Sequence, residues 1–452
     1  AKDAPVFLYT YGGGGVSGAN RQYNGTSLAR SGIIAVFINY RLGPFGFLPM
    51  RELAEEPGDD HGNGGANGLL DQLLGFKWVN KHISAFGGNP NEVTIAGESF
   101  GASLTCAHMY FPMSQPYFNK VYLSSGGCRF PGKWGTVGWL KQNNLDIREK
   151  FFKDLNTSSL SELRRLPAET LLTTGWGPVF MPSKDGYLMK CNPALLPLQL
   201  KNKAVILSGN TGDGFGAFPW TQMLNRAPDP SNENQIIEKL SPFGSEGDIK
   251  KLLSYFSYND KTSPEEFGLL YGRIVSLATI TCPLLTLAEE LTKGGNTVRT
   301  VKFGYINGAG PLRGYVPHGS DMSYMFNDPQ IAEKQPQAPY SVPFLSPKPF
   351  NKSLGEFYSG MIANFVKSGI PWGKWGTFEQ GENLNVTNTE IEYAYSVKSM
   401  PNPDTAPCEV LGRMNILGIV DDTDMGIPCK GPARDCWDRL IKNAKATCSQ
   451  AD

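Results

Sequence analysis

The chain has 452 residues, a length that fits one large enzyme domain or two to three average domains. With 40% hydrophobic and 19% charged residues, and with 42 basic against 42 acidic side chains, the composition excludes an intrinsically disordered protein and does not indicate a nucleic-acid partner. The clearest apolar run, Ile33–Ile38, has the length of a strand, so no membrane span is predicted.

Strands and helices are predicted to alternate along most of the chain. The predicted strands are, in order, Val6–Tyr9, Ile33–Asn39, Val93–Ala96, Val121–Ser124, Ala204–Ser208 and Val298–Ile306. The predicted helices are Gln22–Arg30, Asn67–Ile83, Phe100–Tyr110, Ser161–Leu172 with a break at Pro167, Asn234–Leu240, Gly247–Phe256, Pro264–Thr292 with a break near Pro283, and a last helix that a Ser353–Glu356 capping box begins and Gly369 ends. The alternation predicts an α/β fold with a mostly parallel, doubly wound sheet, in one domain over residues 1–452 with helical insertions.

A Gly-x-Ser-x-Gly pattern, Gly97-Glu98-Ser99-Phe100-Gly101, lies between the third predicted strand and the next helix. The bare pattern is weak evidence, but a strand–turn–helix setting is typical of a nucleophilic serine. The tight turn needs small residues on both sides of the serine, and the helix N-terminus favours a negatively charged oxygen. Ser99 is therefore predicted to be a nucleophile rather than part of an ordinary glycine turn.

A nucleophilic serine needs a base, and the chain has four histidines. His61 lies in a polar loop and His82 on an amphipathic helix, so both are interpreted as non-catalytic. His108 follows the serine by nine residues on the same helix, about 13 Å along the axis and beyond hydrogen-bond reach. His318 lies late in the chain, in a loop after the last predicted strand, and is the predicted base.

The acid that orients the histidine is expected between the serine and the histidine in the sequence. Asp213 fits this position, because it lies in a glycine-rich loop after the predicted strand Ala204–Ser208. Asp185 has no clear strand before it, and Asp321 follows the histidine. The predicted order of the three groups is therefore serine, aspartate, histidine.

A glycine cluster follows the first predicted strand. The backbone N–H groups of Gly13 and Gly14, together with that of Phe100, are predicted to hold a developing oxyanion. The same stretch also fits a dinucleotide fingerprint, Gly13-x-Gly15-x-x-Gly18. This alternative lacks the acidic residue expected about 20 positions further on, and it leaves the serine, aspartate and histidine unexplained.

Taken together, these features resemble the type-B carboxylesterase, cholinesterase and fungal lipase family of α/β-hydrolases. The matching segments are Tyr11–Gly14, Asn39–Leu48, Gly68–Gln72, Lys77–Val79, Ile83–Pro90, the serine turn, Thr281–Leu284, Pro317–Gly319 and Ala363–Gly369. The part up to the serine turn is highly specific, whereas the cysteine-containing tail after Gly369 is not.

The resemblance implies an α/β-hydrolase catalytic domain that acts as a serine esterase, either a carboxylesterase or a lipase, on small-molecule or lipid esters. It implies an acyl-enzyme and no cofactor or metal. The implied site residues are the triad Ser99, Asp213 and His318, the oxyanion hole of Gly13, Gly14 and Phe100, and the neighbouring carboxyl group of Glu98. The alternatives are an acyltransferase with the same triad and a non-catalytic binding protein on the same scaffold.

The chain departs from the family pattern at three positions of the site. The family usually has a small residue after the nucleophile and an aromatic residue after the glycine triplet, where this chain has Phe100 and Gly15. The Phe100 ring is therefore expected to narrow or line the pocket, and Gly15 to open one wall. Asp213 is one methylene shorter than the more usual glutamate, so its loop is expected to lie closer to His318.

A fourth departure concerns the segment that the family has before the oxyanion strand, which is missing before Ala1. Without this segment, the strand Val6–Tyr9 is expected to have an unpaired edge. The segment is therefore expected either as a separate N-terminal chain that completes the fold, produced by a proteolytic nick, or as a part of the same protein that this sequence does not include.

The cysteines and sequons indicate the compartment. The eight cysteines include no C-x-x-C pair and favour disulfides in a secreted protein over free core thiols. Sequons occur at Asn24, Asn156, Asn351 and Asn385. An extracellular glycoprotein is therefore expected.

Overall fold

The computed structural model describes residues 2–56, 62, 64–128, 145–174, 182–183, 185–190, 198–213, 230–305, 316–331, 350–372, 376–377, 382–388, 395–401 and 404–414. The strands in these residues are β1 (Ala4–Thr10), β2 (Ile34–Ile38), β3 (Gly88–Glu98), β4 (Lys120–Ser124), β5 (Ala204–Asn210), β6 (Thr297–Gly304), β7 (Glu382–Asn388) and β8 (Tyr395–Pro401). They form one sheet in the order β2-β1-β3-β4-β5-β6-β7-β8. All neighbouring strands are parallel except β7 and β8, which confirms the predicted mostly parallel sheet.

Helices connect most of the strands. The α-helices of the described residues are α1 (Thr26–Arg30), α2 (Gly43–Phe47), α3 (Arg51–Ala54), α4 (Asn67–His82), α5 (Phe100–Ala107), α6 (Leu145–Leu155), α7 (Leu160–Leu163), α8 (Ala168–Thr174), α9 (Glu233–Leu240), α10 (Glu246–Leu253), α11 (Pro264–Ser276), α12 (Cys282–Lys293), α13 (Met322–Met325), α14 (Lys352–Ser368) and α15 (Thr405–Arg413). Short 3₁₀ turns occur at Asn20–Gln22, Ile83–Phe86 and Gln115–Tyr117.

The central strands are buried because helices cover both faces of the sheet. On one face, the Tyr358 hydroxyl of α14 lies 3.3 Å from the hydroxyls of Tyr122 on β4 and Ser208 on β5. Leu207 points to the opposite face, since side chains alternate along a strand, and it lines a cavity together with Leu284 of α12. This packing explains why strands such as β4 are buried along their whole length.

The prediction of an unpaired edge on the first strand is wrong. β1 lies inside the sheet, where Val6–Thr10 pair with Ile34–Ile38 of β2 on one side and Val93–Gly97 of β3 on the other. Within the described residues, β2 is the outer strand at this end of the sheet. The pairing with β2 was not anticipated, because register and neighbour order cannot be derived from the pattern of a single strand.

Two predicted helix boundaries also differ from the structure. Asn351, rather than Ser353, is the N-cap of α14: its side-chain oxygen accepts the Leu354 N–H at 3.1 Å, and the Ser353 hydroxyl donates to the same oxygen. The predicted break near Pro283 is a widened π-helical turn, Leu277–Thr281, through which α11 continues into α12. A π-turn rearranges the backbone hydrogen bonds locally, so the proline is accommodated without ending the helix.

The insertion helices have a hydrophobic core of their own. Helices α9–α11 and α15 pack around this second core, with Leu252, Ile274 and Leu411 at its centre. A disulfide, Cys282–Cys408, ties α12 to α15. The helical stretch Pro264–Lys293 is long and apolar enough to cross a membrane, but 72% of its most apolar window is buried inside the protein, as is usual for a core helix.

Candidate active site

The predicted site residues meet at the carboxyl ends of the parallel strands. Ser99 follows β3, Asp213 follows β5, and His318 lies in the segment after β6. Because these strands are parallel and lie close together in the sheet, their carboxyl ends are at the same edge. All three side chains are buried.

Ser99 lies on a strained turn between β3 and α5. Its φ of 57° and ψ of −128° are unusual for a residue other than glycine. The flanking glycines allow this turn, because a Cβ at Gly97 would lie 2.5 Å from the backbone of Gly101, and a Cβ at Gly101 would lie 2.2 Å from the Thr10 carbonyl. The serine N–H donates to the Ser124 carbonyl of β4 at 2.9 Å, which fixes the turn on the sheet.

The structure brings serine, histidine and aspartate into one hydrogen-bonded row. Nε2 of His318 lies 2.7 Å from Oγ of Ser99, and Nδ1 lies 3.0 Å from Oδ1 of Asp213. Oδ2 of Asp213 accepts the backbone N–H of Asn210 at 2.7 Å, so the carboxylate orientation is set by its own loop. With Nδ1 donating to the carboxylate, Nε2 is left to accept the serine proton.

Backbone pairing between two loops explains how the short side chain of Asp213 reaches the histidine. Gly212, beside the aspartate, forms a parallel bridge with Pro317, beside the histidine. The Gly212 N–H donates to the Val316 carbonyl at 2.9 Å, and the Val316 N–H donates to Oγ1 of Thr211 at 3.0 Å. The loops that carry Asp213 and His318 are thus paired through their backbones, and the expectation that the aspartate loop lies closer than a glutamate loop would stays a prediction.

Glu98 lies beside the histidine and is buried. Its Oε1 is 3.4 Å from Nε2 of His318 and has no hydrogen-bond partner in the described part of the chain. Burial raises the pKa of Glu98 to about 8, against the opposing charge of His318. We therefore expect this carboxyl group to be mostly protonated at pH 7.

Opposing effects act on the imidazole. Burial lowers the pKa of His318, but the hydrogen bond that the imidazole donates to Asp213 and the charges of Glu98 and Asp213 outweigh burial and raise the pKa to about 9. Glu98 contributes to this rise only while it is ionised, and its own raised pKa removes much of that charge at neutral pH. The direct hydrogen bond with Asp213 therefore remains as a cause that raises the pKa of His318.

Sequence reasoning missed a second buried carboxyl group in this site. Asp321 was dismissed as the triad acid, yet its Oδ2 accepts the Ser124 hydroxyl at 2.6 Å and its Oδ1 accepts Nδ2 of Asn210 at 3.1 Å. The same Nδ2 lies 3.3 Å from Oδ1 of Asp213, so one amide links the two carboxyl groups. Burial raises the pKa of Asp321, although the Ser124 and Asn210 hydrogen bonds oppose the shift. Its position three residues after His318 was the available signal.

The glycine loop after β1 lies directly against the serine. A Cβ at Gly12 would be 2.7 Å from Cβ of Ser99, so only glycine allows this approach. The next two glycines, Gly13 and Gly14, have φ values of 97° and 65°, and within the described residues their N–H groups have no hydrogen-bond acceptor. Those N–H groups are the donors predicted for the oxyanion hole. The loop does not lead directly into an α-helix, because the 3₁₀ turn Asn20–Gln22 comes first, which argues against the dinucleotide alternative.

The Phe100 ring is fully buried, and the expectation that it narrows or lines the pocket stays a prediction. It packs against Gly15, where a Cβ would lie 2.6 Å from the ring, and against the Phe47 ring, with centroids 5.5 Å apart. The ring therefore occupies the space beside Gly15 that was expected to be open.

The rejected candidates lie elsewhere. His108 is buried between Ser114 and Gln72, with ring nitrogens 2.8 Å and 3.2 Å from their side-chain oxygens, and burial lowers its pKa to about 3. His82 is exposed, and Asp185 accepts backbone N–H groups of its own turn. His61 lies outside the described residues.

Comparison with known proteins reveals the relatives of this chain. A model described as the carboxylesterase family matches residues 1–405. Mouse (Mus musculus) cholinesterase is 28% identical, over 94% of this chain and 72% of its own length. Fumonisin B1 esterase of Sphingopyxis macrogoltabida is 30% identical, over 71% of this chain and 58% of its own length, and acetylcholinesterase of Bungarus fasciatus is 28% identical, over 83% and 64%.

The aligned part of the chain corresponds to 58–72% of the length of these three relatives. A solved structure of PNB esterase matches with a TM-score of 0.67 at 21% identity, covering 91% of this chain and 80% of the other. That likeness shows the fold, which is the α/β-hydrolase fold.

Proposed function

Because the chain belongs to the carboxylesterase family of carboxylic ester hydrolases, we propose that it hydrolyses esters through an acyl-enzyme formed on Ser99. The observation that carries this proposal is the row of contacts from Ser99 through His318 to Asp213, at 2.7 Å and 3.0 Å. A non-catalytic scaffold protein has no need of this row, since each contact serves to move or stabilise a proton.

In the proposed mechanism, His318 takes the hydroxyl proton of Ser99 as Oγ attacks the ester carbonyl carbon. The N–H groups of Gly13, Gly14 and Phe100 hold the oxyanion of the tetrahedral intermediate. The intermediate collapses to the acyl-enzyme, and the alcohol leaves with the proton from the imidazolium. In the second step, a water molecule gives its proton to His318 and attacks the acyl-enzyme, which releases the carboxylic acid and restores Ser99. Asp213 stabilises the imidazolium in both steps.

The test replaces the nucleophile and compares it with a neighbouring serine. Ser99→Ala is expected to lower kcat for p-nitrophenyl butyrate by about 10⁶-fold. Ser103→Ala is the matched control, because Ser103 lies one turn later on α5 and is also buried. Equal loss in both variants, or turnover retained by Ser99→Ala, would remove Ser99 from the mechanism. A fluorophosphonate that labels the wild-type chain but not Ser99→Ala gives the same answer without a substrate.

The proposal also concerns the acyl and alcohol groups of the substrate. We propose small, soluble carboxylic esters as substrates, because the relatives that this chain matches include a cholinesterase and an acetylcholinesterase. A panel of p-nitrophenyl esters of increasing chain length, with butyrylthiocholine as a cationic member, measures kcat/KM for each class. A lipase would instead prefer emulsified tributyrin to a soluble ester. Analysis of the products in added alcohol separates hydrolysis from acyl transfer.

We also propose that the chain works outside the cell as a disulfide-bonded glycoprotein. Two disulfides, Cys106–Cys128 and Cys282–Cys408, support this, since the reducing cytosol rarely preserves structural disulfides. Recovery of a glycosylated form of the chain from the culture medium of the cells that naturally express it tests the proposal, and recovery only from inside those cells would contradict it.

A further inference from the structure

We propose that the Phe100 side chain is a positioning residue for the oxyanion hole, acting through Gly15 and supported by Phe47. The inference rests on the proposed function but goes beyond it. The backbone N–H of Phe100 was assigned as a donor, whereas its ring has had no role. The ring follows the nucleophile directly and is fully buried, so it contacts protein rather than solvent.

The first step concerns the ring and the glycine loop. Gly15 has a φ of 74°, and a Cβ built on it would lie 2.6 Å, 2.8 Å and 3.1 Å from three atoms of the Phe100 ring. The ring therefore packs directly on the Gly15 backbone. This residue comes immediately after Gly13 and Gly14, the other predicted donors, so any movement of Gly15 would also move them.

The second step concerns what holds the ring. The Phe47 ring of α2 contacts Phe100 edge-on, at a centroid distance of 5.5 Å and an interplanar angle of 70°. Phe47 is itself fully buried, and a Cβ at Gly68 would lie 2.5 Å from its ring, so α4 packs tightly behind it. Such dense packing leaves the ring little freedom.

The third step closes the arrangement. The N–H of Gly43, the first residue of α2, donates to the Gly15 carbonyl at 2.7 Å. Helix α2 thus holds the glycine loop twice, through this hydrogen bond at its start and through Phe47 and Phe100 at its end. The loop carries no aromatic side chain of its own at Gly15, and the ring from the nucleophile helix takes its place. The donors on both sides of the oxyanion are consequently positioned by one packed unit.

The chemistry makes such positioning important. An oxyanion-hole donor acts only when it is already aimed at the developing charge, and losing one donor typically costs about 10²–10³ in rate. The carbonyl oxygen of the ground-state ester forms weaker hydrogen bonds with these donors than the oxyanion does. Loss of positioning should therefore lower kcat much more than it raises KM.

The experiment compares Phe100→Leu and Phe100→Ala with Phe76→Leu and Phe76→Ala, which remove an equally buried ring that packs on His108 and Phe118. We expect kcat to fall about tenfold in Phe100→Leu and about 100-fold in Phe100→Ala, with KM changed by less than about threefold. The affinity for a trifluoromethyl ketone, which forms a tetrahedral adduct, should fall by the same factors. The Phe76 variants should change neither quantity by more than about twofold, and equal effects in the two series would overturn the proposal.

A double-variant cycle tests the contact itself. Gly15→Ala introduces a methyl group against the ring, whereas Gly15→Ala with Phe100→Ala relieves that clash and keeps the same backbone strain. We expect the kcat loss of the double variant to be about tenfold smaller than the product of the two single losses. Losses that simply multiply would show that the ring and the loop act independently.

Hydrogen exchange separates failure of this proposal from failure of the proposed function. Amides of the segment 11–18 should exchange faster in Phe100→Leu than in wild type or Phe76→Leu, whether or not any ester is turned over. Unchanged exchange would overturn the positioning role. A wild-type chain that neither turns over esters nor reacts with a fluorophosphonate would instead refute the proposed function.

Discussion

Glu98 and His318 form a close pair of titratable groups, with Oε1 of the carboxyl 3.4 Å from Nε2 of the imidazole. The same Nε2 contacts the serine hydroxyl, so the charge of Glu98 acts at the nitrogen that must accept the proton. Burial raises the pKa of Glu98 to about 8, and the pKa of His318 is raised to about 9 by Asp213 and Glu98 against the effect of burial. The two groups therefore titrate in the same alkaline range, and the charge of each group affects the pKa of the other.

This pairing predicts a shift in pH dependence for Glu98→Gln. The active form needs neutral His318, so activity should rise with pH through the histidine pKa. Glutamine carries no charge that would favour the imidazolium, so we expect the rising limb of kcat/KM to move to lower pH, by about one unit. The pH profile of p-nitrophenyl butyrate hydrolysis measures the shift. Glu92→Gln, on the same strand but paired with Lys120, is the control, and an equal profile in the two variants contradicts the prediction.

The buried His108 predicts acid sensitivity of the fold. Burial lowers its pKa from 6.5 to about 3, so between these values the unfolded chain binds a proton that the folded chain does not. Stability should therefore fall as the pH decreases below about 6.5, with a contribution of about 1.4 kcal/mol per pH unit. Urea unfolding between pH 7.5 and pH 4 measures the slope. We expect His108→Gln to have a shallower slope than wild type, and the exposed His82→Gln to keep it; identical slopes for all three would exclude His108 as a cause.

The two described disulfides should contribute unequally to stability. Cys106–Cys128 spans 22 residues, and Cys282–Cys408 spans 126. If restriction of the unfolded chain dominates, replacing both cysteines by alanine costs about 3 kcal/mol for the short loop and about 5 kcal/mol for the long one. Guanidinium unfolding of the two variants gives the comparison. The opposite order would indicate that local packing around α5, rather than chain restriction, sets the contribution.

The sequons are predicted to differ in glycan occupancy. Asn24 and Asn156 are exposed. In contrast, the Asn351 side chain caps α14, and its Nδ2 donates to the Tyr305 hydroxyl at 3.0 Å. We expect glycans at the first two positions and none at Asn351, because a sugar is attached to Nδ2 and would displace the hydrogen bond that this nitrogen donates to Tyr305. Peptide mass spectrometry after enzymatic deglycosylation reads the occupancy, and a fully occupied Asn351 would contradict this assignment.

The sequence predicted the inner strands better than the end of the sheet. Val121–Ser124 and Ala204–Ser208 are short apolar runs that read as buried strands, and both lie within strands of the structure. β7 and β8 were missed, since segments such as Glu382–Asn388 are polar and obtain their strand conformation from pairing with a neighbour. Whether such segments form strands depends on their pairing in the folded protein and not on their local sequence pattern.

The candidate site shows a similar division. Ser99, Asp213 and His318 each follow a predicted strand, so topology alone places them at one edge of the sheet. Asn210 and Asp321 could not be found in this way, because their link depends on the side-chain geometry between two loops. The capping box at Ser353 was wrong for a related reason: Asn351 is an equally good cap and begins the helix earlier.

The backbone of Ser99 has an evolutionary consequence. A φ of 57° suits glycine, and forcing another residue into such a conformation costs on the order of 1–3 kcal/mol. Ser99→Gly should thus raise the thermal unfolding midpoint while ending turnover, and an unchanged or lower midpoint would show that the turn is relaxed. At this one position, selection for stability favours glycine, whereas selection for catalysis favours serine. In a lineage that no longer hydrolyses esters, we expect this serine to be replaced early, because its replacement increases the stability of the protein.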